Sequence, residues 1–126
     1  MRWERGAAGA VVPRDHMEPP RPQWTRTSPP FLMATGAAEV SEVSKGVQLE
    51  GVHEPRYTAY WQRLTARCCA SGGLVVDVGA NLGWFSLLSA RMGCRVLAFE
   101  PVPAIAALFM AAVSYTHLTL PTSTTV

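Results

Sequence analysis

The stretch from Gly72 to Pro103, GGLVVDVGANLGWFSLLSARMGCRVLAFEPVP, constrains this chain more than any other. Leu74-Val75-Val76-Asp77-Val78 is a short apolar run rich in β-branched residues, with Gly72-Gly73 before it and Gly79 after it. That pattern predicts a buried strand of a parallel sheet. Asp77 is the anomaly, because a carboxylate inside such a run costs free energy unless it finds partners. At the carboxyl end of a parallel strand it finds them, since ligands of open α/β sheets bind there. Gly79-Ala80-Asn81-Leu82-Gly83 follows at once. Gly79 permits a sharp turn and a close approach of ligand to backbone, and Gly83 lets the next helix close onto the sheet. Leu82, Phe85 and Leu88, with Leu87 and Met92, recur at helical spacing, and Arg91 and Gly93 suit the helix end. A second apolar run, Val96-Leu97-Ala98-Phe99, ends on Glu100 and Pro101. Strand, glycine turn, helix, strand and acid predict a βαβ unit with a nucleoside-type site at its carboxyl end.

The second acid narrows the ligand class. Glu100 lies 21 positions after Gly79, where a carboxylate accepts the hydroxyls of a ribose. The turn departs from the dinucleotide fingerprint, whose middle glycine is Asn81 here. No Lys-Ser/Thr pair follows it, as a phosphate-cradling loop requires. Asp77, just before the turn, repels phosphate. The combination suits a cationic ligand with an adenosine end, and S-adenosylmethionine is one.

Val75 to Ser86, VVDVGANLGWFS, resembles the first motif of class I S-adenosylmethionine-dependent methyltransferases. Asp77-Val78-Gly79-Ala80-Asn81-Leu82-Gly83 with Ala98-Phe99-Glu100-Pro101 is similar to the FkbM family, whose members are mostly O-methyltransferases of sugar and natural-product hydroxyls. The resemblance covers about a quarter of the chain. It implies an incomplete Rossmann-like α/β fold. It also implies a cofactor site of Asp77, Gly79, Ala80, Asn81, Gly83 and Glu100, with Phe99 or Val102 beside the adenine. The implied acceptor is a small-molecule or glycan hydroxyl. No general base is assignable. Two structural alternatives stand beside these roles: Asp77 holding the loop by accepting backbone N–H groups, and Glu100 as an acid at a helix N-terminus. Two functional alternatives are an NAD(P)-binding oxidoreductase and a non-catalytic interaction module on the same βαβ shell.

The rest of the chain bounds this reading. Its 126 residues suffice for one small domain. A net charge of +2 gives no footprint for nucleic acid or a membrane surface. No apolar run approaches the roughly 18 residues of a spanning helix. Cys68, Cys69 and Cys94 form no metal-ligand spacing with His16, His53 or His117, so no metal is expected. Reduced thiols in a cytoplasmic protein are the expectation.

Residues 1–38 are rich in Pro and Arg and are expected to be a disordered or linker segment. An organelle transit peptide is one reading of its arginines, and read-through from an upstream start, with Met17 or Met33 as the native one, is the preferred reading. Residues 39–111 are assigned to the N-terminal part of a methyltransferase domain. Within them, Glu39 to Gly51 predicts a short hairpin around Ser44-Lys45-Gly46. Pro55 opens a helix whose packed face is Tyr57, Trp61, Leu64 and Cys68. Glu54 is a candidate lip of the cofactor site, with His53 solvated beside it.

Ile105, Leu108 and Phe109 predict a further helix from Pro103. Val113 to Thr122 then resembles the translation of a transposase-type sequencing adapter, so residues 112–126 are expected to be a non-native tail. Its strand-forming Tyr115, Thr116, Leu118 and Leu120 allow a natural strand as the alternative. On these grounds the chain carries cofactor motifs of a truncated enzyme, buries too little apolar surface for a stable pocket, and is expected to be inactive alone.

Overall fold

The βαβ unit is there. The computed structural model describes residues 3–5, 11–13, 20–36 and 41–116. Strand β5 (Leu74–Val78), helix α3 (Trp84–Arg91) and strand β6 (Arg95–Phe99) form a parallel crossover, with Leu74 opposite Arg95 and Val78 opposite Phe99. Strand β5 and helix α3 end where glycines allow it. Gly79 has φ +80° and Gly93 φ +105°, conformations that a side chain penalises. Helix α3 covers one face of the pair, burying Val75, Val96 and Ala98 against Leu87 and Leu88. Among the described residues the opposite face is uncovered, with Leu74, Val76 and Val78 51%, 54% and 80% exposed. The expectation of a buried strand therefore fails on one side: among the described residues one helical layer lies against it, whereas parallel sheets are normally covered on both faces.

Around this unit sit elements that the sequence disguises. β1 (Trp3–Arg5) pairs antiparallel with β2 (Val11–Pro13). β3 (Arg21–Trp24) pairs antiparallel with β4 (Leu32–Thr35), so the segment expected to be disordered holds a hairpin. Its turn carries a cis Ser28–Pro29 bond. The physical reason for its order is burial. Phe31, Met33, Ala34 and Thr35 are 0–1% exposed, and Phe31 meets Trp84 with ring centroids 5.2 Å apart. Thr25 Oγ1 accepts the Phe31 N–H at 3.0 Å, Arg91 Nε donates to the Pro30 carbonyl, and Gln62 Nε2 donates to the Ser28 carbonyl. Residues 37–40 lie outside the described set, as do 6–10 and 14–19.

Helix α1 (Glu42–Glu50) replaces the predicted hairpin. Ser41 caps it by accepting the Ser44 N–H, an interaction worth about 1 kcal/mol. Gly51 closes it in the left-handed region, its N–H donating to the Val47 carbonyl. Val43 and Val47, four apart, face the core, and this helical pair outweighs the short Val47/Leu49 alternation, whose Leu49 is 72% exposed.

Helix α2 (Pro55–Ala70) begins at the predicted proline, but its packed stripe is rotated by one residue. Thr58, Thr65 and Cys69 are buried, with Trp61 packed beside them, whereas Tyr57 and Leu64 are 66% and 61% exposed. The inward polar groups are satisfied. Thr58 Oγ1 donates to the His53 carbonyl and accepts the Trp84 indole N–H at 2.9 Å. Thr65 Oγ1 donates to the Trp61 carbonyl at 2.8 Å. Cys69 is disulfide-bonded to Cys94, which corrects the expectation of reduced thiols. The crossover brings them together, since the Gly73 carbonyl accepts the Arg95 N–H and sets the end of α2 beside the start of β6. A link closing 25 positions removes roughly 3 kcal/mol of unfolded-chain entropy.

Helix α4 (Pro103–Thr116) runs through the boundary expected at residue 112 without a break. Ala106, Phe109, Ala112 and Val113 are buried on its inner side, and Tyr115 Oη donates to the Pro20 carbonyl at 3.4 Å. Residues 112–116 are thus helical, and the alternative strand does not form there. Residues 117–126, with His117, lie outside the described set.

Candidate cofactor site

Parallel pairing puts the carboxyl ends of β5 and β6 side by side, and the predicted residues converge there. The glycine turn is tied to the end of β6. The Phe99 carbonyl accepts both the Gly79 N–H at 2.8 Å and the Ala80 N–H at 3.0 Å. Glu100 then crosses to the turn: its Oε2 accepts the Asn81 N–H and its Oε1 the Val102 N–H, each at 2.8 Å. Val102 immediately precedes α4, so one carboxylate holds both the glycine turn and the entry to the next helix. Charge-assisted bonds of this length are the stronger class. Each carboxylate oxygen offers about two acceptor sites, so each Glu100 oxygen keeps one for a ligand hydroxyl.

Asp77 has a partner on α3. Ser86 Oγ donates to Asp77 Oδ2 at 2.6 Å. This corrects the structural alternative in which Asp77 accepts backbone N–H groups. Oδ1 takes no hydrogen bond among the described residues. Sequence reasoning passes over Ser86. Its signal is positional, since the third residue of α3 lies over the strand end that carries Asp77.

The turn's conformations explain its composition. Asn81 sits at φ +55°, a region that Asn tolerates better than most residues, and its Oδ1 accepts the next N–H, of Leu82, at 2.8 Å. A Cβ on Gly79 would meet nothing within 4 Å, so the backbone there faces open space. A Cβ on Gly83 would overlap the Phe109 ring. The two glycines therefore serve different ends: Gly79 clears room at the strand end, and Gly83 lets α4 pack. Ala80 is 6% exposed, so of its groups the backbone is the one left to a ligand. Phe99 is half-buried and Val102 is 46% exposed, and both flank Glu100 in sequence.

Glu54 and His53 form a separate group. Glu54 holds φ +43° at the start of α2, and its carboxylate lies 3.4 Å from His53 Nε2. His53 is not solvated as expected. Its side chain is 17% exposed and packs edge-on against Trp84 and Phe85, with centroids 6.1 and 6.5 Å away. A surface depression of about 380 Å³ beside them is lined by Lys45, Leu49, His53 and Glu54 and contains neither Asp77 nor Glu100. Among the described residues, no group of three His, Cys, Asp or Glu side chains is arranged to hold a metal ion, and no helix is long and apolar enough to cross a membrane.

No protein-family model, curated protein or solved structure matches the chain. What the site supports therefore rests on its own geometry and on the mixed α/β architecture that carries it.

Proposed function

We propose that the crevice at the carboxyl ends of β5 and β6 binds S-adenosylmethionine, and that the chain carries the cofactor half of a methyltransferase acting on a hydroxyl of a sugar or natural product. One observation carries the reading: Glu100 and Asp77 flank the same glycine turn, Glu100 through its 2.8 Å bond to Asn81 and Asp77 from the strand that leads into it. In this assignment the free acceptor sites of Glu100 take the ribose hydroxyls. Asp77, held by Ser86, faces the positively charged methionine end. Gly79, Ala80, Asn81 and Gly83 supply the backbone wall. Methyl transfer itself asks little acid–base chemistry of this half. A substrate hydroxyl oxygen attacks the sulfonium methyl in line, the carbon–sulfur bond breaks, S-adenosylhomocysteine leaves as the neutral thioether and the hydroxyl proton passes to solvent, so positioning is the main contribution of this half.

A nicotinamide-binding oxidoreductase is the second reading, favoured by the same ribose-accepting acid. Asn81 in place of a middle glycine weighs against it, because a left-handed Asn with its side chain folded onto the backbone crowds the path of a pyrophosphate.

Ligand-observed NMR on the 126-residue chain with S-adenosylmethionine, S-adenosylhomocysteine and NAD separates these readings. Transfer to the ribose and adenine protons of the first two is expected, at affinities near millimolar, about −4 kcal/mol. Glu100→Ala and Gly79→Val are expected to abolish it. Stronger transfer to NAD, or signals unchanged in both variants, would refute the assignment.

A further inference from the structure

Three cysteines meet at the end of α2, and only two of them are bonded. Cys69 and Cys94 form the disulfide and are 2% and 7% exposed. Cys68 is exposed and free, and its Sγ lies 3.9 Å from Cys94 Sγ. Two glycines make room for this cluster. A Cβ on Gly73 would overlap Cys68 Sγ, and a Cβ on Gly93 would press on the Cys69 carbonyl at 2.8 Å. Gly73 leads into β5 and Gly93 lies just before Cys94, so both approaches to the sulfur cluster are kept open.

We infer that Cys68 is the entry thiol of a thiol–disulfide exchange site, through which small dithiols reach the buried Cys69–Cys94 bond. Exchange requires a thiolate to touch a disulfide sulfur. Burial hinders an external thiolate at Cys69 and Cys94. Cys68 touches solvent on one side and Cys94 on the other. A bonded pair of sulfurs is about 2.05 Å apart, so Cys68 Sγ has to travel roughly 2 Å to bond Cys94.

The steps balance. The Cys68 thiolate attacks Cys94 Sγ, the Cys69–Cys94 bond breaks, and Cys69 leaves as the thiolate. The new Cys68–Cys94 disulfide has one sulfur at the surface. One thiolate of the dithiol attacks Cys68 Sγ and forms a mixed disulfide, expelling Cys94 as a thiolate. The second thiolate of the dithiol closes its own ring and expels Cys68. The protein gains two electrons and the dithiol becomes a cyclic disulfide. Run backwards, the same path installs Cys69–Cys94 from a cyclic disulfide. The chemistry is independent of the methyltransferase reading.

Dithiothreitol is the probe, with alkylation and intact-mass thiol counting on the full 126-residue chain. Reduction of Cys69–Cys94 is expected to slow by about tenfold or more in Cys68→Ser, because the intramolecular nucleophile is lost. Cys68→Ser swaps an exposed side chain, and its circular dichroism is expected to match the parent. In Cys69→Ser, oxidised dithiothreitol is expected to yield a Cys68–Cys94 disulfide, located by peptide mapping. Equal reduction rates in the parent and Cys68→Ser, or two alkylatable thiols persisting in oxidised Cys69→Ser, would overturn the inference.

Discussion

Two glycines four positions apart look alike in the sequence and differ in what surrounds them. Both hold positive φ, +80° at Gly79 and +86° at Gly83. An alanine at Gly79 pays only for its left-handed backbone, about 1–2 kcal/mol. An alanine at Gly83 pays that and also drives its methyl into Phe109, which adds about 1–3 kcal/mol for an overpacked contact. Urea titrations of the two variants are therefore expected to place Gly83→Ala well below Gly79→Ala in stability, and the reverse order would remove the α4 contact from the account. The same residue scale explains what could be read in advance. Asp77 and Glu100 were legible because a carboxylate at a strand end has few physical excuses. Ser86 and Thr58 were not, because a hydroxyl on a helix carries no sign of which way it faces until its partner is placed.

At the scale of elements, period decided what was readable. β5, α3 and β6 showed themselves because strand, glycine and helix signals alternate in the order that a crossover demands. α1 was misread because Gly46 and a two-residue alternation imitate a turn, while its real signals, Ser41 as cap and Val43/Val47 spacing, are spread along it. The β3–β4 hairpin was hidden by Pro22 in its first strand and Pro29-Pro30 in its turn, which made the whole segment read as irregular. α2 shows how a stripe slips. Its aromatic and leucine residues suggested one face, but Thr58 is drawn inward by Trp84 and Cys69 by Cys94. The rotated stripe is testable. Leu64→Gln and Tyr57→Ala are expected to change stability by no more than about 0.5 kcal/mol, as exposed positions do. Thr58→Val, which strands the buried Trp84 indole N–H, is expected to cost about 1–3 kcal/mol. Thermal melts of the three variants check the order.

For the whole molecule, the feature with most reach is the bare side of the parallel pair. Leu74, Val76 and Val78 stand on it beside partly buried Leu97 and Phe99, while α3 packs on the other side. Lysine at Val78 is expected to leave the melting midpoint nearly unchanged and to lower the weight-average mass in sedimentation velocity, since nothing in the fold leans on that side chain. A fall in the midpoint of several degrees would mean that the side is covered after all. In colloidal terms, such a surface makes the chain its own poorest solvent companion. Wet apolar residues on a ribbon with unsaturated borders recruit whatever strand passes, so yield and shelf life should track concentration more steeply than temperature.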